Sequence, residues 1–131
     1  MRLWHYQMIG LLPRSQLLAQ WRELNLIFRQ EPKHILINYI YEDRYKDKKD
    51  LLAYSNLVIE EMKKRGYRRN LDTFKAYFAG LTSDVTQPFG KYHDKDYLQI
   101  CFYNLKEKYQ RGQKDFTEDI FRSLASLILE R

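Results

Sequence analysis

Apolar side chains recur along the chain at helical spacing, and this periodicity narrows the possible folds more than any other feature. Leu17, Trp21, Leu24 and Phe28 follow one another at intervals of four, three and four residues, which places them on one face of a helix. With only 5 Gly and 3 Pro in 131 residues, the chain lacks the many tight turns that a β-sandwich or barrel requires. The sequence therefore predicts a compact all-α fold of about four to five helices, in a single domain over residues 1–131.

Helix breakers and capping residues predict where these helices begin and end. Pro13 suits the first turn of the first helix, and Pro32 marks its end. The other expected bounds are a second helix capped by Asp50 and stopped at Gly66, a third capped by Asn70 and ending near Gly80, a fourth over 95–109, and a last helix from Thr117. Residues 35–41 are predicted as helix or extended segment, and 42–50 and 82–90 as loops, the first of them solvated.

Positive charge and aromatic content favour a polyanionic partner. The chain has 23 Lys plus Arg against 17 Asp plus Glu, a formal net charge of +6, and 15% of its residues are Phe, Trp or Tyr. Cations neutralise phosphates and aromatic rings stack on bases, so nucleic-acid binders use this composition. Residues 63–69 hold five cations around Tyr67, which indicates either a phosphate-binding patch or a solvated helix end. A net positive charge also keeps a protein soluble, so the basic composition does not by itself require an anionic partner.

Metal, nucleotide and membrane functions find no support in the sequence. The single Cys101 excludes an intramolecular disulfide and a multi-cysteine zinc site, and its position on the apolar side of a helix indicates a core residue. His5, His34 and His93 lack the spacing of a His-Glu-x-x-His zinc motif, and no Gly-rich phosphate loop is present. We therefore expect no metal and no cofactor. Because no apolar run reaches the length of a membrane span, we expect a cytoplasmic protein in a reducing compartment.

The first helix carries the most informative polar residues. Gln16, Gln20 and Glu23 project together at spacings of four and three residues, and Arg22 lies about 100° around the helix from Glu23. Two interpretations stay open. The pair is either an ordinary solvated surface, or a phosphate-anchoring Arg22 beside a Glu23 that acts as a general acid or base or stabilises charge.

Two motifs resemble a known family. Leu18–Leu24 (LAQWREL), followed by Phe28 and then Lys33 and His34, resembles the first helix of the pyrimidine-dimer DNA glycosylases. Leu57–Tyr67 (LVIEEMKKRGY) resembles the end of the second long helix of that family. The two matches stand in the right order and cover about the first half of the chain.

The resemblance implies a DNA repair enzyme that is both a glycosylase and an abasic-site lyase. In that family the N-terminal α-amine attacks the sugar C1′, expels the damaged base and forms a Schiff base, and β-elimination then nicks the strand. By position, Met1 would supply the amine and Glu23 the catalytic carboxylate, without a cofactor. The DNA contacts implied in the same way are Arg2, Arg14, Gln16, Arg22, Lys33 and His34. The expected partner is double-stranded, damaged DNA, and the expected form is an intracellular, nucleoid-associated monomer.

The chain departs from the family pattern in three places. The nucleophile of the family is a threonine exposed by methionine removal, whereas this chain has Arg2 there, before which methionine is normally retained. The candidate amine is then that of Met1, up to ~3.5 Å farther along the chain. Leu26 also stands where the family has an arginine, and the aromatic C-terminal tail of the family is not recognisable. Two alternatives therefore stay open: a non-catalytic nucleic-acid-binding protein of the same fold, or a helical protein-interaction module.

Overall fold

The computed structural model describes residues 1–129 and is helical throughout, with no strand among them. The α-helices are α1 (Arg14–Gln30), α2 (Lys49–Lys64), α3 (Asp72–Phe78), α4 (Lys95–Gln110) and α5 (Glu118–Leu129). Short 3-10 helices cover Tyr6–Leu11, Asn38–Tyr41 and Asp43–Tyr45. The all-α prediction is confirmed.

The first helix forms where its periodicity and its prolines predict. Its four apolar stripe residues, Leu17, Trp21, Leu24 and Phe28, are all buried in the core. Pro13 stands immediately before the helix, where the missing N–H costs nothing, and its carbonyl accepts from the Leu17 N–H at 3.1 Å. The helix ends at Gln30, and a left-handed residue and then Pro32 follow. One long helix therefore presents a buried stripe to the core and its polar residues to one surface.

The second helix begins earlier than predicted, so the prediction that Asp50 caps it is wrong. The residue before the helix is Lys48, in a left-handed conformation (φ 65°), and Asp50 lies in the first turn. The carboxylate of Asp50 instead accepts the backbone N–H of Phe89 at 2.8 Å and ties down the loop over 82–90. The predicted stop at Gly66 is confirmed, with Gly66 at a φ of 76°.

The segments between helices are more structured than their composition suggests. Residues 35–37 form a turn and Asn38–Tyr41 a 3-10 helix, so this run is neither α-helix nor strand. The charged run after it is not simply a solvated loop, because Tyr45 is buried within it. Phe89, in the loop over 82–90, is fully buried. Both rings pack in the aromatic core, and the polar composition of their segments does not predict that burial.

The last three helices begin close to the predicted positions, although the residue directly before α3 is Leu71, so the predicted cap Asn70 stands one residue too early. The side chain of Asn70 accepts the N–H of Asp72 at 2.8 Å, that of Asp94 accepts from Tyr97 at 2.9 Å, and that of Thr117 accepts from Ile120 at 3.2 Å. Helices α1, α2 and α4 contribute most of the core, and Cys101 is buried in it, as expected. Among the described residues, no helix is long and apolar enough to cross a bilayer.

Candidate active site

A fully buried glutamine holds the N-terminal segment against α1. Gln20 Nε2 donates to the carbonyl of Arg2 at 3.0 Å, and its Oε1 accepts from the backbone N–H of Trp4 at 2.9 Å. The same Nε2 donates to Glu23 Oε2 at 3.2 Å, and the hydroxyl of Tyr54 on α2 donates to Oε1 at 2.8 Å. All four hydrogen-bonding positions of the amide are therefore used. One side chain links the backbone beside the N-terminus to the carboxylate of Glu23.

Three more side chains complete the support of this segment. The single hydroxyl proton of Tyr54 is shared between Gln20 Oε1 and the carbonyl oxygen of Trp4, which lies 2.6 Å from the hydroxyl oxygen, and the hydroxyl of Tyr97 on α4 donates to the carbonyl of Leu3 at 2.6 Å. The N–H of Tyr6 donates to His93 Nδ1 at 3.1 Å. The backbone over residues 2–6 is therefore held from three helices and one loop.

His93 is a neutral member of this support. Burial, and secondarily the nearby His5, lower the pKa of His93 to about 3. Because Nδ1 accepts a hydrogen bond, the single ring proton lies on Nε2, which is 2.6 Å from the hydroxyl oxygen of Tyr39. The imidazole therefore orders the segment through one defined tautomer and without adding charge.

The N-terminus and Glu23 line the same cleft, which has a volume of about 320 Å³. The cleft is lined by Met1, Arg2, Trp4, Gln16, Ala19, Glu23, Leu36, Asn104 and Lys108. Its lining brings three positively charged groups, the α-amine, Arg2 and Lys108, together with one carboxylate, that of Glu23. A cleft of this charge suits an anionic ligand.

The environment of Glu23 alters its acidity in two opposing ways. Partial burial raises the pKa of the carboxyl above its ordinary value, and this is the largest effect. The positive charge of the N-terminus, the backbone of Arg2, and then Arg22 and His34 counteract it. Burial and the cationic neighbours therefore act on the pKa of Glu23 in opposite directions. Such an environment suits a carboxyl group that exchanges a proton or stabilises a transient cation.

The structure brings some of the predicted site residues together and leaves others apart. Met1, Arg2, Gln16 and Glu23 share the cleft, with Arg2 lying over the ring of Tyr97 at 5.7 Å. Gln16 also exchanges hydrogen bonds with Gln113 at 3.0 and 2.8 Å.

The remaining predicted DNA contacts lie outside the lining of the cleft. Arg22 and His34 are exposed near Glu23, close enough to affect its pKa. Lys33 lies over the ring of Tyr41 at 3.6 Å. Arg14 lies over the ring of Tyr67 at 5.2 Å, next to the basic segment after α2. Two groups of cations therefore exist, one near the cleft and one near Tyr67.

Five lining residues were not among the predicted site residues. Trp4, Ala19 and Leu36 belong to the first 36 residues of the chain and contribute mainly apolar surface to the lining. Asn104 and Lys108 are one helical turn apart on α4, about a hundred residues from Met1. Their spacing of four puts them on one face of α4. No local signal indicates that this face meets the N-terminus, because that contact is made only when the chain folds.

The part of the chain that the structure describes holds no cluster of side chains suited to bind a metal ion. Residues 1–129 contain no group of three or more His, Cys, Asp or Glu side chains placed to hold a metal ion. The polar groups at the cleft are the α-amine of the chain, one carboxylate, two side-chain amides and two cationic side chains.

The fold and cleft together define a small all-helical protein with an ordered N-terminus, a half-buried glutamate and a basic surface. The sequence model of one family, pyrimidine dimer DNA glycosylase, matches residues 1–75. This match spans more than half of the chain, and the chain belongs to the pyrimidine dimer DNA glycosylase family. It includes α1, α2 and every cleft residue except Asn104 and Lys108. Neither the curated proteins nor the solved structures contain a significant match to the chain.

Proposed function

We propose that the protein is a DNA glycosylase with abasic-site lyase activity on pyrimidine dimers in duplex DNA. The observation that carries the proposal is that Met1 and Glu23 line one cleft, with Gln20 donating both to Glu23 and to the carbonyl of Arg2, the residue after Met1. Membership of the glycosylase family supports the choice of substrate. No cofactor is required, because the amine and the carboxylate belong to the chain.

The reaction follows from these two groups. The neutral α-amine of Met1 attacks C1′ of the damaged nucleotide, the bond between C1′ and the base breaks, and the base leaves with the bonding electrons and is protonated. Loss of a proton from nitrogen and opening of the sugar ring give a protonated Schiff base. Removal of a C2′ proton then expels the 3′ phosphate and nicks the strand. Glu23 would stabilise the cationic sugar in the first step and assist proton transfer in the later ones.

The two groups of cations would bind the backbone of the DNA. Arg2 and Lys108 line the cleft and Arg22 lies close to Glu23, so these cations would contact the phosphates around the damaged nucleotide, and the exposed Lys33 would add a further contact. Arg14 and the basic segment over 63–69 would contact phosphates farther along the duplex. Double-stranded DNA and a monomeric enzyme remain the expected partner and form.

Borohydride trapping tests the proposal. The protein is incubated with a duplex containing a thymine dimer, or an abasic site, and sodium borohydride reduces any Schiff base to a stable adduct. Mass spectrometry of the peptides then locates the adduct, which we expect on the α-amine of Met1. An adduct on Lys108, whose amine shares the cleft, would assign the nucleophile to α4 instead. No adduct with either duplex would refute the enzymatic proposal.

Substitution of the carboxylate gives the matched test. Glu23→Gln is expected to abolish nicking while DNA affinity is retained or rises, because one negative charge is lost from the cleft. Glu60→Gln is the control, since Glu60 is exposed on α2 and lines a different cleft. Equal nicking by Glu23→Gln and the wild type would contradict the role of this carboxylate.

A second candidate function is DNA binding without catalysis, and the residue after Met1 favours it. Arg2 is large, so the amine belongs to a retained Met1 and lies one residue farther out than in the family pattern. Misplacement of a nucleophile by about 1 Å already slows a reaction greatly. Such a protein would bind duplex DNA with an affinity that falls steeply with salt and would give no borohydride adduct.

A further inference from the structure

The backbone of Arg2, the residue that follows the candidate nucleophile, is held at both its carbonyl and its N–H. Gln20 Nε2 donates to the carbonyl at 3.0 Å. The N–H faces the carboxylate of Glu23: burial raises the pKa of that carboxyl, and the charge of the N-terminus and then this N–H counteract the rise. Only the Cα and the carbonyl carbon of Met1 therefore separate the α-amine from a backbone group that lies at Glu23.

The side chain of Arg2 ties the same residue to a second helix. Its guanidinium carbon lies 5.7 Å from the centre of the Tyr97 ring on α4, within the range of a cation–π contact. Burial and then the nearby Cys101 raise the pKa of the Tyr97 hydroxyl, and a hydrogen bond and the charge of Arg2 counteract that rise. Chain termini fray unless something restrains them, and here a side-chain contact restrains the residue next to the amine.

Tyr97 is itself a fixed support. Its backbone N–H donates to the side chain of Asp94 at 2.9 Å, and this cap fixes the first turn of α4. Its hydroxyl donates to the carbonyl of the fully buried Leu3 at 2.6 Å. Tyr97 therefore contacts the side chain of Arg2 and the backbone of Leu3, and both residues are close in sequence to the α-amine.

We propose that Arg2 is a positioning residue for the nucleophile, and that its guanidinium, placed over Tyr97, holds Met1 so that the α-amine stays beside Glu23. The inference rests on the proposed function and deepens it. The large side chain that causes Met1 to be retained would also fix the retained residue at the cleft. An arginine can place its planar face on a ring while its N–H edge binds a phosphate, so the phosphate contact assigned to Arg2 above is compatible with this role.

Lysine separates the two roles of Arg2. It keeps the positive charge and is too large to allow methionine removal, but it lacks the planar face and the multiple donors of a guanidinium. The test is Arg2→Lys, with retention of Met1 verified by the mass of the intact protein. Borohydride trapping on a duplex with an abasic site gives the maximal rate and the half-saturating protein concentration. Arg29→Lys, at the exposed end of α1, is the matched control and should behave as the wild type does.

We expect Arg2→Lys to lower the maximal rate of trapping about 10- to 100-fold, because a small displacement of a nucleophile has an effect of this size. The half-saturating concentration should stay within about twofold of the wild type, because the charge is kept. An unchanged maximal rate, or a change in the half-saturating concentration alone, would leave Arg2 only its phosphate contact and would overturn the proposal.

Tyr97→Leu tests the partner of Arg2. It removes the ring and should lower the maximal rate of trapping as Arg2→Lys does. In the double variant, Arg2→Lys should cost no more than about a further twofold, because the two side chains act through one contact. Losses that multiply would show that Arg2 does not act through Tyr97. If Tyr97→Leu does not fold, Arg2→Lys alone decides.

A measurement without DNA keeps the proposal separate from the proposed function. In ¹⁵N NMR the heteronuclear NOE of the backbone amide of residue 2 should fall in Arg2→Lys and stay unchanged in Arg29→Lys. An amide that remains as ordered in Arg2→Lys as in the wild type would overturn the positioning role, whatever the enzyme does. Absence of any borohydride adduct with the wild type would instead refute the proposed function.

Discussion

The hydrogen bonds of Gln20 predict two effects of Gln20→Met: the N-terminus is held less firmly, and the free energy of unfolding falls. Methionine has a similar volume to glutamine, so the core stays filled and only the polar interactions are lost. Tyr54 keeps a partner, because its hydroxyl also donates to the carbonyl of Trp4. The N–H of Trp4 and the carbonyl of Arg2 lose the partners that Gln20 provides.

The size of the effect follows from those two backbone groups. A buried polar group without a partner costs about 1–3 kcal/mol, and both groups here belong to half-buried residues that water can partly reach. We therefore expect the free energy of unfolding to fall by about 2–4 kcal/mol. In urea titrations the midpoint should fall while the m-value is unchanged. Gln30→Met, at the exposed end of α1, is the control and should change stability by less than about 0.5 kcal/mol.

The effect of Gln20→Met on catalysis distinguishes a positioning role of Gln20 from a purely structural role. Gln20 links the backbone at Arg2 to Glu23, so its loss should reduce the rate of borohydride trapping even at low temperature, where the variant is fully folded. DNA affinity should change little, because Gln20 is buried and carries no charge. A Gln20→Met protein that is as stable as the wild type and traps at the same rate would refute the argument.

Two further predictions concern charge. Because folding lowers the pKa of His93 to about 3, the unfolded chain binds a proton there between that pH and about 6.5, so stability should fall by up to about 1.4 kcal/mol per pH unit as the pH drops through this window. Chemical denaturation at several pH values measures this slope, and a slope that His93→Gln does not reduce would contradict it. Lys108→Met should make the negative slope of log affinity against log salt concentration shallower by about 0.9 in DNA titrations, because one phosphate contact is lost. An unchanged slope would place Lys108 outside the DNA interface.

The N-terminus of this protein is ordered by long-range contacts and not by local structure. The side chains that support it come from α1, α2, α4 and His93, and the contacts of Tyr97 and His93 join residues 94 and 87 positions apart. Most chain termini fray because nothing restrains them. Here the backbone beside the α-amine is fixed relative to Glu23, which is the arrangement that a terminal nucleophile needs.

The sequence by itself determined most of the α-helices and the family. Apolar spacing predicted the buried stripe of α1, and the polar residues Asn70 and Thr117 indicated the starts of the third and last helices closely, because both signals depend on neighbours within one or two turns. The motifs around Arg22 and Glu23 indicated the family whose sequence model matches residues 1–75.

Only the tertiary structure decided what surrounds Glu23. It buried Gln20 as a fourfold hydrogen-bonded link, brought Asn104 and Lys108 of α4 to the cleft, and put Arg14 beside Tyr67, away from it. It also gave Asp50 a partner in a distant loop where the local pattern had predicted a helix cap. These contacts join segments far apart in the chain, and their geometry depends on how whole helices pack. Periodicity and capping rules, which act over a few residues, cannot contain that information.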